Sequence, residues 1–198
     1  MKKFSWIFIF TIASLPALSQ DSINVDSRKI SYFFSVNTGF LGGERMKSLT
    51  YTFNTLQGIT IGKRLRTGAG LGIDSYDGWQ TLPLFGQVGY DLFQFNEGNA
   101  LFVQIHYGWS HAWSIRTGGR LPYDDHGGKT YGAMVGYRMS VGTLKFYLSV
   151  GYKYQEILST YTSPVYYDLR LYQPYIPYSQ RSDQKLERFT ATLGIGWH

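Results

Sequence analysis

The sequence predicts an all-β fold, an eight-stranded antiparallel up-and-down barrel. Three observations predict it: apolar residues alternate with small or polar ones along about eight segments, turn-forming residues separate these segments, and aromatic residues are abundant. The 198 residues include 17 Tyr, 13 Phe, 5 Trp and 23 Gly, whereas 16% are charged. That composition is typical of a β-sandwich or of a barrel with aromatic girdles.

The last eleven residues show the alternation over a whole strand. One face carries apolar side chains, namely Phe189, Ala191, Leu193, Ile195 and Trp197. The other face carries small or polar ones, namely Arg188, Thr190, Thr192, Gly194, Gly196 and His198. Successive side chains of a strand point to opposite faces, so the apolar face meets either a protein core or lipid.

The amino-terminal segment predicts export. Lys2 and Lys3 precede an apolar run at residues 6–13 (WIFIFTIA), and Ala17, Leu18 and Ser19 form a small-x-small site. This arrangement is that of a cleaved signal peptide, residues 1–19, because the run is too short to span a membrane as a helix. A membrane anchor is the alternative. We expect a short polar tail at 20–29, on the periplasmic side, and a barrel domain at 30–198.

The strands follow in order from residue 30. They are expected at about 30–40, 50–64, 68–76, 80–94, 100–115, 129–140, 144–157 and 188–198. Short connections are expected near 65–68, where Arg66, Thr67 and Gly68 form a turn, and near 77–79, 95–99 and 140–143. Longer loops are expected at 41–49, 116–128 and 160–183. Alternation of short turns with long loops is typical of outer-membrane barrels.

The non-apolar faces decide between a soluble and a transmembrane barrel. They are rich in Gly, Ser, Thr and Asn, which suit a crowded interior, and carry Arg64, Asp74, Asp91, His106, Arg138, Lys145, Lys153 and Arg188. Aromatic residues recur near the ends of the apolar faces: Tyr107, Trp109, Trp113, Tyr137, Tyr152, Tyr154 and Trp197. This pattern favours a transmembrane barrel. A soluble sandwich or a lipocalin-like barrel is the alternative.

Several segments resemble a known group of proteins. They are residues 70–76 (GLGIDSY), 82–85 (LPLF), 135–138 (VGYR), 150–155 (VGYKYQ) and 193–197 (LGIGW). In these segments the chain is similar to the small outer-membrane β-barrel proteins of Bacteroidota-type bacteria, which carry an outer membrane protein β-barrel domain. The resemblance implies a location in the cell outer membrane of a Gram-negative bacterium and no particular chemistry.

Composition excludes several classes of function. Removal of Lys2 and Lys3 lowers the formal charge from +6 to +4, and this mild, scattered excess argues against nucleic-acid binding. The absence of cysteine removes thiolate nucleophiles and cysteine metal sites, and the four histidines are scattered. We therefore expect no metal and no cofactor. An eight-stranded interior is filled by side chains, so a diffusion porin is not expected.

The enzymatic alternative is lipid modification of the lipid A deacylase or acyltransferase kind, which needs a serine nucleophile beside a histidine base. Residues 106–111 (HYGWSH) are the candidate stretch. Ser110 and His111 are neighbours and point to opposite faces, whereas His106 and Ser110 share a face about 13 Å apart. A direct bond is excluded within this stretch, but a dyad across strands is left open. No catalytic residue is assigned.

The connection 160–183 is the candidate binding surface. Tyrosines interleaved with prolines give a rigid surface of large contact area, and arginines there suit the phosphates of lipopolysaccharide. The expected binding residues are Tyr166, Tyr167, Arg170, Tyr172, Tyr175, Tyr178 and Arg181. The alternative is that the strands extend beyond the membrane and the tyrosines pack on one another. The expected partners are outer-membrane lipids including lipopolysaccharide, the barrel-assembly machinery and an extracellular ligand. The predicted function is a structural or surface-recognition role.

Overall fold

The computed structural model describes residues 30–43, 49–95, 98–115, 123–162, 167–168, 173–174 and 179–197. Within them no helix is long and apolar enough to cross a bilayer. The strands are β1 (Ile30–Gly42), β2 (Leu49–Ile61), β3 (Leu65–Tyr76), β4 (Trp79–Gln94), β5 (Ala100–Ser114), β6 (Tyr123–Val141), β7 (Leu144–Thr162), β8 (Tyr167–Asp168), β9 (Gln173–Pro174) and β10 (Ser179–Trp197). The predicted segments 1–19 and 20–29 lie outside the described residues.

Eight long antiparallel strands form a closed barrel, as predicted. Each of β1 to β6 pairs with the next strand in the chain, and β10 closes the barrel between β7 and β1. The closing register runs from Phe34 opposite Trp197 to Gly42 opposite Phe189. The two-residue strands β8 and β9 form a separate hairpin within the β7–β10 connection.

The two ends of the barrel differ. One end, here called the turn end, holds the short β2–β3, β4–β5 and β6–β7 connections together with Ile30 and Trp197. The opposite end, here called the loop end, holds the β1–β2, β5–β6 and β7–β10 connections and the two-residue β3–β4 turn. In that turn Gly78 has a φ of 83°, a left-handed conformation that glycine adopts without a steric cost.

The alternation of burial shows which face is inside. Apolar side chains point outward, where Leu84, Ile105 and Leu193 are 65%, 61% and 63% exposed. Polar side chains point into the barrel, and Thr192, between two outward apolar residues, is 6% exposed. The arrangement is the reverse of that in a soluble barrel, whose apolar side chains fill the interior.

The β2–β3 turn differs from the prediction. It comprises Gly62, Lys63 and Arg64, with Gly62 at a φ of 65°, whereas Arg66 to Gly68 belong to β3. The prediction of a turn at Arg66 was therefore wrong, as was the placement of Arg64 on an inner face. Arg64 is exposed in the turn, and Arg66 is the buried cation inside the barrel. Both Gly62 and Gly68 are candidates for a turn. The turn forms at Gly62, because Gly68 pairs with Gly58 of β2.

Three adjacent strands are longer than predicted. β6, β7 and β10 each have 19 residues, so that much of the expected loops 116–128 and 160–183 is strand. Each strand is about 60 Å long, well beyond the roughly ten residues that cross a bilayer at a tilt. We call the parts near the loop end, residues 123–127, 157–162 and 179–186, the strand extension. Its pairing includes Ser179 opposite Thr162 and Tyr123 opposite Tyr161.

Candidate functional site

A buried charge cluster lies inside the barrel toward the turn end. The carboxylate of Asp91 accepts hydrogen bonds from Arg138 Nη2 at 2.7 Å and Nη1 at 3.4 Å, which makes the pair bidentate. Arg138 Nε donates to the Gly98 carbonyl at 3.2 Å. Arg66 Nη2 lies 3.3 Å from Asp91 Oδ1, and the Arg66 guanidinium stacks 4.6 Å from the Phe102 ring centroid. One carboxylate thus holds two arginines from β3 and β6 against β4.

A second ion pair joins the opposite walls of the barrel. Lys153 Nζ on β7 lies 2.6 Å from Asp74 Oδ2 on β3, and both side chains are almost fully buried. Thr52 Oγ1 donates to the other carboxylate oxygen of Asp74 at 2.5 Å. Because the pair spans strands that are not neighbours, it ties the barrel across its interior. Its partners lie 79 residues apart in the chain.

An apolar cluster lies inside the barrel near the loop end. It consists of buried side chains near the strand ends together with half-buried Leu186, namely Leu41, Tyr76, Trp79, Ala112, Ile157 and Leu186. A smaller cluster of Phe33, Leu56 and Phe85 lies deeper, and the Phe85 ring centroid is 5.5 Å from that of His106.

The empty space that remains between these side chains is small. A polar cavity of ≈ 30 Å³ is lined by side chains from all eight barrel strands, among them Arg66, His106, Tyr147, Lys153 and Thr190. That volume holds about two water molecules. In the described part of the chain, the interior is thus a packed polar network with a small cavity.

In the described part of the chain, His106 and His111 do not form the serine dyad that a hydrolase needs. His106 Nε2 is buried without a hydrogen-bond partner, and the His111 ring packs 6.2 Å from that of Trp113. Ser110 is engaged elsewhere, since its hydroxyl accepts from Gln155 Nε2 and donates to the Gly128 carbonyl. Among the described residues neither His106 nor His111 contacts a serine hydroxyl, so the lipid-modifying alternative gains no support.

Metal ligands do not gather in the described residues either. No group of three or more His, Asp or Glu side chains is placed to hold an ion within that part of the chain. The inner carboxylates Asp74 and Asp91 are each taken by basic side chains instead.

The tyrosine-rich binding surface is described in part. Tyr166, Arg170, Tyr172, Tyr175 and Tyr178 lie outside the described residues, and Tyr167 belongs to the β8–β9 hairpin. Arg181, expected in a loop, lies in the strand extension on β10. Its side chain is 67% exposed and its Nε lies 3.0 Å from Asp183 Oδ1. The sequence missed this strand because residues 179–184 are polar on both faces.

The role of Arg66 was not predicted from the sequence. Inner-face residues of β3 are two apart, so extending the series from Gly72 and Gly70 toward the amino terminus places Arg66 on the inner face. The predicted turn at Arg66 excluded this residue from the strand. Tyr147 lies on the inner face of β7 and is a partner of Arg66. The two rings that flank the Arg66 guanidinium belong to Phe102 and Tyr147, on β5 and β7, and this grouping depends on closure of the barrel.

Comparison with known proteins agrees on the architecture. No protein-family model and no curated protein sequence matches the chain. Among solved structures, neisserial surface protein A (NspA) superposes with a TM-score of 0.55 at 12% sequence identity. The match covers 85% of this chain and 97% of NspA. The chain is similar to NspA in fold. At this identity the similarity extends to the eight-stranded barrel and not to activity.

Proposed function

We propose that the chain is a small integral outer-membrane β-barrel protein with a structural or surface-binding role. The observation that carries the proposal is the apolar outer surface around a polar, ion-paired interior. Such a surface is stable in lipid and aggregates in water. The fold shared with a protein named for the neisserial surface supports the same conclusion. Export through the signal peptide at residues 1–19 and a Bacteroidota-type source belong to this proposal.

The proposed orientation places the turn end in the periplasm and the loop end outside the cell. Outward aromatic residues support this orientation. At the turn end, the ring centroids of Phe34 and Trp197 lie 4.7 Å apart. Farther along the barrel, the rings of Tyr131 and Tyr154 stack with their centroids 4.6 Å apart. Outward Glu156 and Lys185 lie opposite each other one step beyond this stack toward the loop end. Charged residues beyond an aromatic girdle match the headgroup region. The strand extension then stands above the outer leaflet.

Cell fractionation and gel mobility test the membrane location. We expect the protein in the outer-membrane fraction and a faster-migrating band before heating than after it, because a closed barrel resists detergent at room temperature. A protein recovered from the soluble periplasm, with no mobility change on heating, would contradict the proposal.

A substitution pair sharpens that test. Val150 is 52% exposed near the middle of β7, whereas Ile115 is 44% exposed just beyond β5 at the loop end. Val150→Arg is expected to lower the free energy of unfolding in lipid vesicles by about 2–4 kcal/mol, and Ile115→Arg by about 1 kcal/mol or less. Similar effects of the two substitutions would contradict a bilayer centred on the middle of the strands.

We propose the strand extension and the tyrosine-rich connection as the binding surface. The residues proposed are Tyr166, Tyr167, Arg170, Tyr172, Tyr175, Tyr178 and Arg181, with Lys185 beside them. Exposed Arg181 and Lys185 share the outward face of β10, where they would meet the phosphates of outer-leaflet lipopolysaccharide. The same surface is open to an extracellular ligand. The outward apolar face of β10 is proposed as the signal read by the barrel-assembly machinery.

The lipopolysaccharide contact is testable by paired charge removal. We expect the Arg181→Ala and Lys185→Ala substitutions to weaken binding of purified lipopolysaccharide by about fivefold each, because a basic side chain at an anionic membrane surface contributes about 1 kcal/mol. The matched control is Lys63→Ala, an exposed cation in the β2–β3 turn at the opposite end. Equal binding by all three variants would contradict this assignment.

A further inference from the structure

Among the side chains that the structure describes, those facing the barrel interior include more basic than acidic groups. Among described strand residues whose side chains face inward, five are basic and two are acidic: Arg66, Arg138, Lys145, Lys153 and Arg188 against Asp74 and Asp91. Lys153 has Asp74 as its partner, and Arg138 has Asp91. Lys145 and Arg188 are half-buried, whereas Arg66 is buried. Buried charge without a counter-charge is costly, so the charge of Arg66 needs compensation.

The shortage of negative charge is greatest at Arg66. Its side chain is 6% exposed, and Asp91 at 3.3 Å is already bonded by both terminal nitrogens of Arg138. Neither Nε nor Nη2 of Arg66 has a hydrogen-bond partner. The guanidinium therefore shares one carboxylate with a better-placed arginine and keeps donors unused. Stacking on Phe102 offsets part of the charge but accepts no conventional hydrogen bond.

Arg66 lines the interior cavity together with other unused polar groups. Thr190 Oγ1 and His106 Nε2 are buried without partners, and both residues line the same cavity of ≈ 30 Å³. The threonine hydroxyl can donate a hydrogen bond, and so can one tautomer of the imidazole. The backbone of β4 passes close to the guanidinium, since a Cβ added at Gly89 would lie 3.7 Å from Arg66 Nη2. The cavity thus combines unused donors, a net positive charge and room for one small group.

From this geometry we infer that the cavity binds a small monovalent inorganic anion, of the size of chloride, beside the guanidinium of Arg66. The anion accepts from the free guanidinium donors and compensates the charge that Asp91 leaves unbalanced. A volume of ≈ 30 Å³ admits a halide and excludes an organic carboxylate of sugar size. The site is separate from the proposed lipopolysaccharide surface, and it would serve the stability of the barrel.

Diffraction from the unmodified protein tests the site directly. Crystals of the refolded protein grown in bromide are expected to show an anomalous scattering peak in the cavity within hydrogen-bond distance of Arg66. A cavity that holds ordinary water density, with no anomalous peak, would overturn the inference. Because no substitution is involved, this measurement does not depend on whether a variant folds.

Thermal unfolding in detergent gives the energetic test. At a matched ionic strength of about 0.2 M, we expect chloride to raise the unfolding midpoint by about 2–6 °C over gluconate, through preferential binding to the folded state. Arg66→Met should abolish the difference between the two salts. The control is Arg64→Met, which removes an exposed arginine two residues away and should retain the full difference. A midpoint independent of the anion in the unmodified protein, or an equal difference in Arg66→Met, would refute the inference.

Discussion

Replacing Asp91 by asparagine is expected to lower the free energy of unfolding of the barrel by about 3–5 kcal/mol. Asparagine keeps the shape of the side chain but removes the charge that Arg138 and Arg66 share. Both arginines are almost fully buried, so they would be left with uncompensated charge away from water. The measurement is equilibrium urea unfolding of the refolded protein in lipid vesicles.

The chain supplies a matched control for this substitution. Asp183 forms an ion pair with Arg181 at 3.0 Å, but the side chains are 49% and 67% exposed. Water screens such a pair, so Asp183→Asn should change stability by about 1 kcal/mol or less. Comparable losses from the two substitutions would show that the interior of the barrel is wet rather than packed. A double variant, Asp91→Asn with Arg138→Met, should lose less than the sum of its two single variants.

Alanine at Gly108 is the second substitution with a large expected effect. Gly108 faces inward on β5 opposite Phe85, and a Cβ there would overlap the Leu84 carbonyl oxygen and lie 2.6 Å from Phe85 Cα. Both obstacles are backbone atoms of β4, so relief requires the two strands to move apart. We expect a loss of about 3 kcal/mol in the same urea experiment.

Gly86 is the control for that substitution. It lies on the same strand pair, opposite Tyr107, but faces outward, and the nearest atom to an added Cβ is the Tyr107 carbonyl oxygen at 4.0 Å. Gly86→Ala should therefore leave stability unchanged or slightly raise it, since alanine reduces the freedom of the unfolded chain. If Gly86→Ala were as damaging as Gly108→Ala, loss of glycine flexibility rather than crowding inside the barrel would explain both effects.

Parity explains how much of the fold was predictable. Each strand shows its apolar and polar faces in the order of its residues, so the eight barrel strands and the inward position of Asp74, Asp91, Arg138 and Lys153 could be read directly. Turn positions were less certain, since one glycine is as good a candidate as the next. For that reason Arg66 was assigned to a turn and not to the inner face of β3. The strand extension was missed because strands with polar residues on both faces have no hydrophobic period.

The candidate binding surface was likewise predictable only in part from the sequence. Arg181 was recognised as a basic residue near clustered tyrosines, but its neighbour Asp183 and its place on β10 follow from pairing with β7. The histidines were not assigned as catalytic residues, on their spacing alone. Whether His106 met a serine on another strand required coordinates, because strand pairing brings together residues that are distant in the chain.

The sequence by itself determined that apolar and polar side chains alternate along the strands, that there are eight barrel strands, and that Asp74, Asp91, Arg138 and Lys153 face the interior. These properties are local, since the direction of a side chain in a strand follows from its position relative to its neighbours. The tertiary structure decided the partners: Asp91 with two arginines, Asp74 with Lys153 across the barrel, and Arg66 beside a small polar cavity. Such contacts join strands far apart in the chain, and they depend on the register and closure of the whole barrel, which no single strand specifies.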